Sequence, residues 1–381
     1  MVKLQLGQTL IQRDGQRVYV IAEIGQNHQG NLETAKRMIM EAWKSGCDCV
    51  KFQKSCLSAK FTKSALQRKY DGPNSWGNTY GEHKTYLEFS IEQYREIQEF
   101  CNTLGIDFTA SAMDEVSLEE MSSMTVPFIK IGSGDANNFP LLKKAAMLKT
   151  PLIISTGMQT LATVDRIVQI MENANKKSFA LMHCVSSYPT EPQNCELVRI
   201  LWLKEKYPNI IIGYSGHEMG IEISKAAVLL GARILERHFT LDCNQKGSDH
   251  KCSLEPLQMR NLVLGINNLK HIMSLHTYLK VSDIISLLGE TTDIKNALKD
   301  CLHDKSIMPC EMNCRNKLGK SLVAAKNLNI GETIDANDLW VKVSEPNGIS
   351  AEHIEEVIGR QLSKCLSVDE PLQWNYLHKV I

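Results

Sequence analysis

The sequence predicts an α/β fold, a (β/α)8 TIM barrel followed by a small second domain, and three observations carry that reading. Eight short, β-branched, apolar runs recur along the first 275 residues, each followed by an amphipathic segment, as the β-α units of a parallel sheet do. Those units fill a length close to the roughly 250 residues typical of such a barrel. Polar residues collect at the carboxyl ends of the runs, the ends that share one mouth in a barrel.

The runs are VYVIAEIG (18–25), CDCVKFQ (47–53), IDFTASA (106–112), PFIKIGS (127–133), PLIISTG (151–157), FALMHCV (179–185), NIIIGYSGH (209–217) and RILERHF (233–239), with a helical pattern over 256–276. A doubly wound open sheet is disfavoured, because the turn from Gly25 to Gly30 lacks the Gly-x-Gly-x-x-Gly that a dinucleotide pyrophosphate needs. The barrel domain is therefore expected over 1–275. Over 276–312 the pattern weakens into mixed apolar and charged residues and reads as an extended linker. Over 313–381, the short runs SLVAA and LWVKV, turn signals and one short helix near 351–358 read as a small separate domain.

Composition narrows the function. Lys plus Arg number 43 and Asp plus Glu number 43, so no overall basic field exists to hold a nucleic-acid backbone or an anionic membrane. The first residues lack a signal-peptide pattern, which makes the cytoplasm the expected location. No apolar stretch approaches the roughly 20 residues that cross a bilayer. The twelve cysteines are scattered without disulfide-scaffold or zinc spacing and read as reduced, mostly buried thiols.

The strand ends carry the candidate chemistry: Glu23, Asn27 and His28 on the first run, Lys51 and Gln53 on the second, Ser111 on the third, and Lys130, Ser133 and Asp135 on the fourth. Ser155 and Thr156, Ser186 and Tyr188, Ser215 and His217, and Glu236 and His238 end the remaining four. One histidine on a strand is most often a core residue. His217 and His238, on adjacent strands, are expected to converge on one ion, with Glu23 as neighbouring carboxylate. Two imidazoles with oxygen donors suit Mn²⁺, with Mg²⁺ or Co²⁺ as alternatives. Lys51 and Lys130 inside strands are costly unless paired or facing a ligand, and with the serines they suit an organic phosphate and carboxylate.

The segments AEIGQNHQG, KFQKS, KIGSGDANNFP, ISTGMQ, GYSGHEMG, LERHFTLD and KGSDHKCSLEP resemble the sialic acid synthase family, and SWGNTYGEHKTYLEFS looks like an insertion of its animal members. PCEMNCRNKLGKSLVAAKNLNIGETI resembles the family's C-terminal antifreeze-like (SAF) domain, related in fold to type III antifreeze proteins. The resemblance implies a cytoplasmic transferase that condenses phosphoenolpyruvate with N-acetylmannosamine 6-phosphate, as animal members do, to give the 9-phosphate of sialic acid. Mannose 6-phosphate is a second candidate substrate, and unphosphorylated N-acetylmannosamine is the bacterial one. It implies phosphoenolpyruvate binding by Lys51, Ser111, Lys130, Ser133, Ser155, Ser186 and Ser215, and sugar binding by Gln53, Tyr188 and Asp249. It further implies catalytic roles for Glu23, Asp135, Tyr188 and Asp249, a metal on His217 and His238, and a homodimer with swapped C-terminal domains.

Three features depart from the pattern or add to it. Many bacterial members have Glu where this chain has Asp135, a candidate base for the attacking water. Bacterial members also place an Arg after Trp-Val-Lys that reaches the sugar's acetamido group, whereas Trp340-Val-Lys342 is followed here by Val343-Ser344, leaving Lys342 or a backbone group as substitute. The loop 63–84 is rich in cations, so Lys63, Arg68, His83 or Lys84 is expected to grip the sugar 6-phosphate. The rival from another class is a catalytically silent sugar-phosphate-binding protein, which metal-dependent phosphate release would exclude.

Overall fold

The computed structural model describes residues 2–275, 279–301 and 304–378. Its first element is a hairpin of β1 (Lys3–Leu6) and β2 (Thr9–Gln12). Eight parallel strands then close a barrel: β3 (Tyr19–Gly25), β4 (Cys49–Lys54), β5 (Asp107–Ala112), β6 (Ile129–Ile131), β7 (Leu152–Ser155), β8 (Phe179–Cys184), β9 (Ile211–Gly216) and β10 (Ile234–His238). Seven lie inside the runs that predict them, β4 outruns its run by one residue at Lys54, and β10 pairs back onto β3 to complete the ring.

Alternation along these strands divides the interior in two. Val20 and Ala22 of β3 face the surrounding helices, as do Val50 and Phe52 of β4. Tyr19, Ile21, Cys49, Phe128, Ile153, Met182, Ile211 and Ile234 fill the barrel's own core. Leu4, Leu6 and Ile11 of the hairpin pack into that same cluster and plug the amino-terminal mouth. Gly213 is required where it stands, because a Cβ there would come within 2.3 Å of the Met182 sulfur and 2.6 Å of the Ile234 carbonyl oxygen. With one end sealed by apolar side chains, only the carboxyl-end mouth is left for a polar site.

The expected extended linker is corrected. Within 276–312 the chain forms helices Val281–Leu288 and Thr292–Ala297, and a further one at Met312–Leu318 leads into the small domain. Ile284, Ile294, Ala297 and Leu298 are buried in the main core. These helices are short and charged on their outer faces, so their apolar spacing does not stand out in the sequence. Residues 276–278 and 302–303 of the linker lie outside the described residues.

The small domain pairs β11 (Ser321–Ala324) with antiparallel β12 (Leu339–Lys342) over Leu322, Leu328, Leu362 and Leu372, with helical turns at Ala351–His353 and Ile354–Val357. It rests on the barrel: Val343 bonds the Lys60 carbonyl through its N–H at 2.8 Å and accepts from the Thr62 N–H at 3.0 Å. The Val343 side chain joins Phe61, Ala65 and Tyr80 in a separate apolar cluster. All twelve cysteines are free, six of them buried, so burial is less general than expected. Among the described residues no helix is long and apolar enough to cross a membrane.

Candidate active site

The inward stripe of each strand changes from apolar to polar as it climbs. On β3 the series is Tyr19, Ile21, Glu23; on β7, Ile153 then Ser155; on β10, Ile234, Glu236, His238. The upper members line a cavity of about 280 Å³ at the carboxyl ends of the strands. The period of two that buries the lower residues therefore also aims the upper ones at one space.

At its floor four charges neutralise one another. The Lys51 ammonium lies 2.6 Å from the Glu23 carboxylate and 3.8 Å from Glu236, and Lys130 lies 3.8 Å from Glu236. Lys51 also donates to the Ser111 hydroxyl at 3.0 Å, Lys130 to Ser155 at 2.6 Å, and Ser215 to Glu236 at 3.1 Å. Burying ions costs several kcal/mol each, so two buried pairs are weak evidence of stabilisation and good evidence of a site kept ready for an ionic ligand. The two carboxylates differ. Burial lifts Glu23 to about 7 although Lys51 partly opposes it, whereas Lys130, Lys51 and His238 overcome burial and hold Glu236 at about 2.

That difference gives a pH prediction. Below about pH 7 Glu23 is protonated and the floor carries one net positive charge; as pH rises through the apparent pKa of the coupled pair that charge is lost. Phosphoenolpyruvate affinity should fall from about pH 7 to about pH 8.5, at most about tenfold per unit. Calorimetric titration of the anion into wild type and Glu23→Gln checks this: the Gln variant should be nearly flat, and identical slopes would sink the assignment.

His217 and His238 have ring centroids 5.5 Å apart. The His217 Nδ1 bonds the Val185 carbonyl at 2.8 Å, which makes Nδ1 the donor and leaves Nε2 as a lone-pair donor, the arrangement of a metal-ligating imidazole. Burial, then His238, pulls its pKa to about 4, so it is neutral at ordinary pH. The buried Nδ1 of His238 has no hydrogen-bond partner among the described residues, and Asp249 approaches it at 3.9 Å. Two imidazoles with an orphaned nitrogen fit a divalent ion completed by water and substrate oxygens. Glu23 is held by Lys51 at 2.6 Å and by Gln53 at 3.0 Å, and among the described residues no group of three or more His, Cys, Asp or Glu side chains forms a cage. Tyr188 packs over His217 at 4.2 Å between centroids.

Of the expected site residues, Glu23, Lys51, Gln53, Ser111, Lys130, Ser133, Asp135, Ser155, Tyr188, Ser215, His217, His238 and Asp249 all line this cavity. Ser186 stands behind it, its hydroxyl 2.9 Å from that of Ser133, while its N–H donates to Glu311. Gly157 permits that approach, since a Cβ there would lie 2.4 Å from the Ser186 hydroxyl oxygen. Asp135 is ion-paired at 2.9 Å with Lys320 of the small domain, so it is not a free base. Lys342 pairs with Asp369 at 2.8 Å and does not line the cavity of its own chain. Asn27 bonds the Phe239 carbonyl and Ser253, and His28 stacks on Phe89; both are structural.

Of the loop cations only Lys84 enters the cavity; Arg68 lies on the face of Tyr80, His83 stacks on Trp76, and Lys63 is exposed. Lys60, Tyr80, Lys317 and Lys320 are site or site-wall residues missed in the sequence. For Lys60 and Lys317 no local pattern could have pointed to them, because surface-type helical lysines look alike until the chain is folded. Glu311 is also new: its carboxylate accepts from the Met158 and Ser186 N–H groups at 2.8 and 2.9 Å and ties the end of the linker to the cavity's back wall.

Fold and site together define a (β/α)8-barrel enzyme built to hold an anionic substrate beside a pair of metal-competent histidines. The chain belongs to the NeuB family, whose model matches residues 38–278, and an SAF domain model matches 319–377. It is 58% identical to the N-acetylneuraminate-9-phosphate synthase of Drosophila melanogaster over 94% of this chain and 95% of that protein. Against the Homo sapiens protein of the same name it is 45% identical over 93% and 91%. The solved N-acetylneuraminic acid synthetase of Leptospira borgpetersenii is 32% identical with a TM-score of 0.62, covering 73% of this chain and 92% of that one. The Bacillus subtilis spore coat protein SpsE, at 24% identity and TM-score 0.79 over the full length of both, agrees in fold.

Proposed function

We infer that this chain is an N-acetylneuraminate-9-phosphate synthase acting in sialic acid biosynthesis, condensing phosphoenolpyruvate with N-acetylmannosamine 6-phosphate to give N-acetylneuraminate 9-phosphate and phosphate. The observation that carries this is identity of 58% extending through 94% of the chain, both domains included. The cavity supports it: two lysines and a set of hydroxyls suit phosphoenolpyruvate, and Gln53, Tyr188 and Asp249 line the same cavity with polar groups that suit a sugar. Mannose 6-phosphate is a second candidate sugar, since it differs at one substituent and the family arginine is absent.

In this reading Lys51 and Lys130 exchange their carboxylate partners for the anionic groups of phosphoenolpyruvate, and the serine hydroxyls fix its orientation. The enol carbon then bonds to the sugar aldehyde carbon; water adds to the resulting oxocarbenium carbon, and phosphate leaves with its bridging oxygen by carbon-oxygen cleavage. His217 and His238 would hold a divalent ion, Mn²⁺ with Mg²⁺ or Co²⁺ as alternatives, whose chemistry there is Lewis-acid polarisation of the aldehyde. Asp249 beside His238 and Tyr188 over His217 keep the two rings in place. Asp135 acts on the attacking water only if Lys320 releases it; paired, it holds the small domain over the mouth. The proposed assembly is a homodimer with exchanged small domains, in which the surfaces that meet within this chain meet between subunits.

The test is phosphate release by metal-stripped protein with Mn²⁺ restored, offered each of the two sugar phosphates and N-acetylmannosamine, with His217→Ala as control. Release should need sugar, metal and His217. Absence of release with every sugar would favour the silent binding protein.

A further inference from the structure

The cavity floor is electrically balanced, but its rim is not. Lys84, from helix Tyr80–Leu87, and Lys317, from helix Met312–Leu318, both line the cavity. Their ammonium groups stand 5.5 and 5.6 Å from the centre of the Tyr80 ring, and Arg68 covers the same ring at 4.0 Å. Three cations thus surround one aromatic side chain. Arg68 has Glu345 at 3.5 Å, whereas among the described residues neither Lys84 nor Lys317 is ion-paired with a carboxylate; Lys84 donates to the neutral Gln26 side chain at 2.7 Å. Burial and then Lys317 depress the Lys84 ammonium to about 8. Lys60, which also lines the cavity, is depressed to about 7 by burial and then by Lys84.

Tyr80 adds an independent sign. Its side chain is wholly buried and lines the cavity, yet its hydroxyl finds no acceptor for its proton among the described residues. Two ammonium groups with no carboxylate in contact among the described residues, on which Asp249 acts at longer range, stand beside a hydroxyl that lacks an acceptor and describe a receptor for a multiply charged oxyanion. The phosphoenolpyruvate groups already have Lys51 and Lys130 at the floor, so the rim is left for the other phosphate in the reaction.

We propose that Lys84, Lys317 and the Tyr80 hydroxyl form the subsite for the 6-phosphate of the sugar substrate, with Arg68 positioning Tyr80 from behind. The inference rests on the synthase reading and adds the source of its preference for a phosphorylated sugar. It also makes the residues after the linker part of substrate selection, because Lys317 lies beyond it and Val343 of the small domain packs against Tyr80.

The experiment is steady-state phosphate release by Lys84→Gln, Lys317→Gln and the double variant, with saturating phosphoenolpyruvate and Mn²⁺. The quantity read is the ratio of kcat/KM for N-acetylmannosamine 6-phosphate to that for N-acetylmannosamine. Each single variant should lower that ratio by about tenfold, through loss of one charge-assisted bond, and the double variant by roughly a hundredfold. Ratios within about twofold of wild type, with both sugars affected alike, would overturn the subsite while leaving the synthase standing. Wild-type protein that turns over neither sugar would strike the synthase reading itself. Lys317→Gln, at a half-buried position on a short helix, keeps the test readable should Lys84→Gln fail to fold.

Discussion

Lys130→Met is expected to lower kcat/KM for phosphoenolpyruvate by roughly 10²- to 10³-fold, and to lower the thermal midpoint as well, because the buried Glu236 carboxylate loses its foremost counter-ion. The Lys130 side chain is among the largest wholly enclosed ones, and its ammonium is the donor to Ser155 and a counter-ion to Glu236. Methionine keeps most of its length and apolar stem. What disappears is one of the two cations at the cavity floor, Lys51 being the other, and the floor's balance shifts by one negative charge. Losing one partner of a buried, hydrogen-bonded charge pair costs about 2–5 kcal/mol, and each 1.4 kcal/mol is a factor of ten. Initial rates at varied phosphoenolpyruvate test this, and a loss under about tenfold would mean that the anion binds elsewhere.

Lys320→Ala should destabilise the folded chain by about 3–5 kcal/mol near neutral pH, because it leaves the Asp135 carboxylate buried without its cation. Burial already raises the Asp135 pKa, with Lys320 and then Lys60 opposing the rise; without Lys320 it rises further. A carboxyl whose folded pKa exceeds its unfolded value favours folding when protonated. The variant's deficit should therefore be largest above the folded pKa and should shrink as pH falls through it. Urea melts of wild type and variant at two pH values measure it, and Asp135→Asn in the Lys320→Ala background should recover part of the loss. A deficit under about 1 kcal/mol, or one that grows on acidification, would refute the buried-pair account. Mixing Lys320→Ala with Lys130→Met chains under exchange conditions also tests the proposed swapped homodimer, since activity regained on mixing requires small domains to serve the other subunit's barrel.

Most of the barrel was legible because two local rules agree there. A strand buried on both faces must be apolar, and a polar residue is tolerated on its inward stripe only at the open end. Glu23, Lys51, Lys130, Ser155, Ser215, His217 and His238 each stand at such a position, so strand and site were read from the same residues. The hairpin Lys3–Leu6 and Thr9–Gln12 escaped notice because four-residue strands carry little periodicity. The linker helices escaped because their few buried residues, Ile284 and Ile294 among them, are diluted by charge.

Sequence alone thus determined the eight-stranded barrel, the small domain after it and the polar residues of the cavity floor, since strand periodicity places alternate residues on one face whatever the rest of the chain does. Only the tertiary structure decided which charges meet. Lys51 could have paired with any carboxylate at the mouth, and it is the ring closure of β10 onto β3 that puts Glu23 and Glu236 on either side of it. Asp135 looked like a free base until Lys320, from the far side of the linker, reached it. Lys84 and Lys317, far apart in the chain, became one cationic rim because the small domain's approach folds their segments around Tyr80. Electrostatic energy depends on distance through space, and distance through space is what local patterns do not contain.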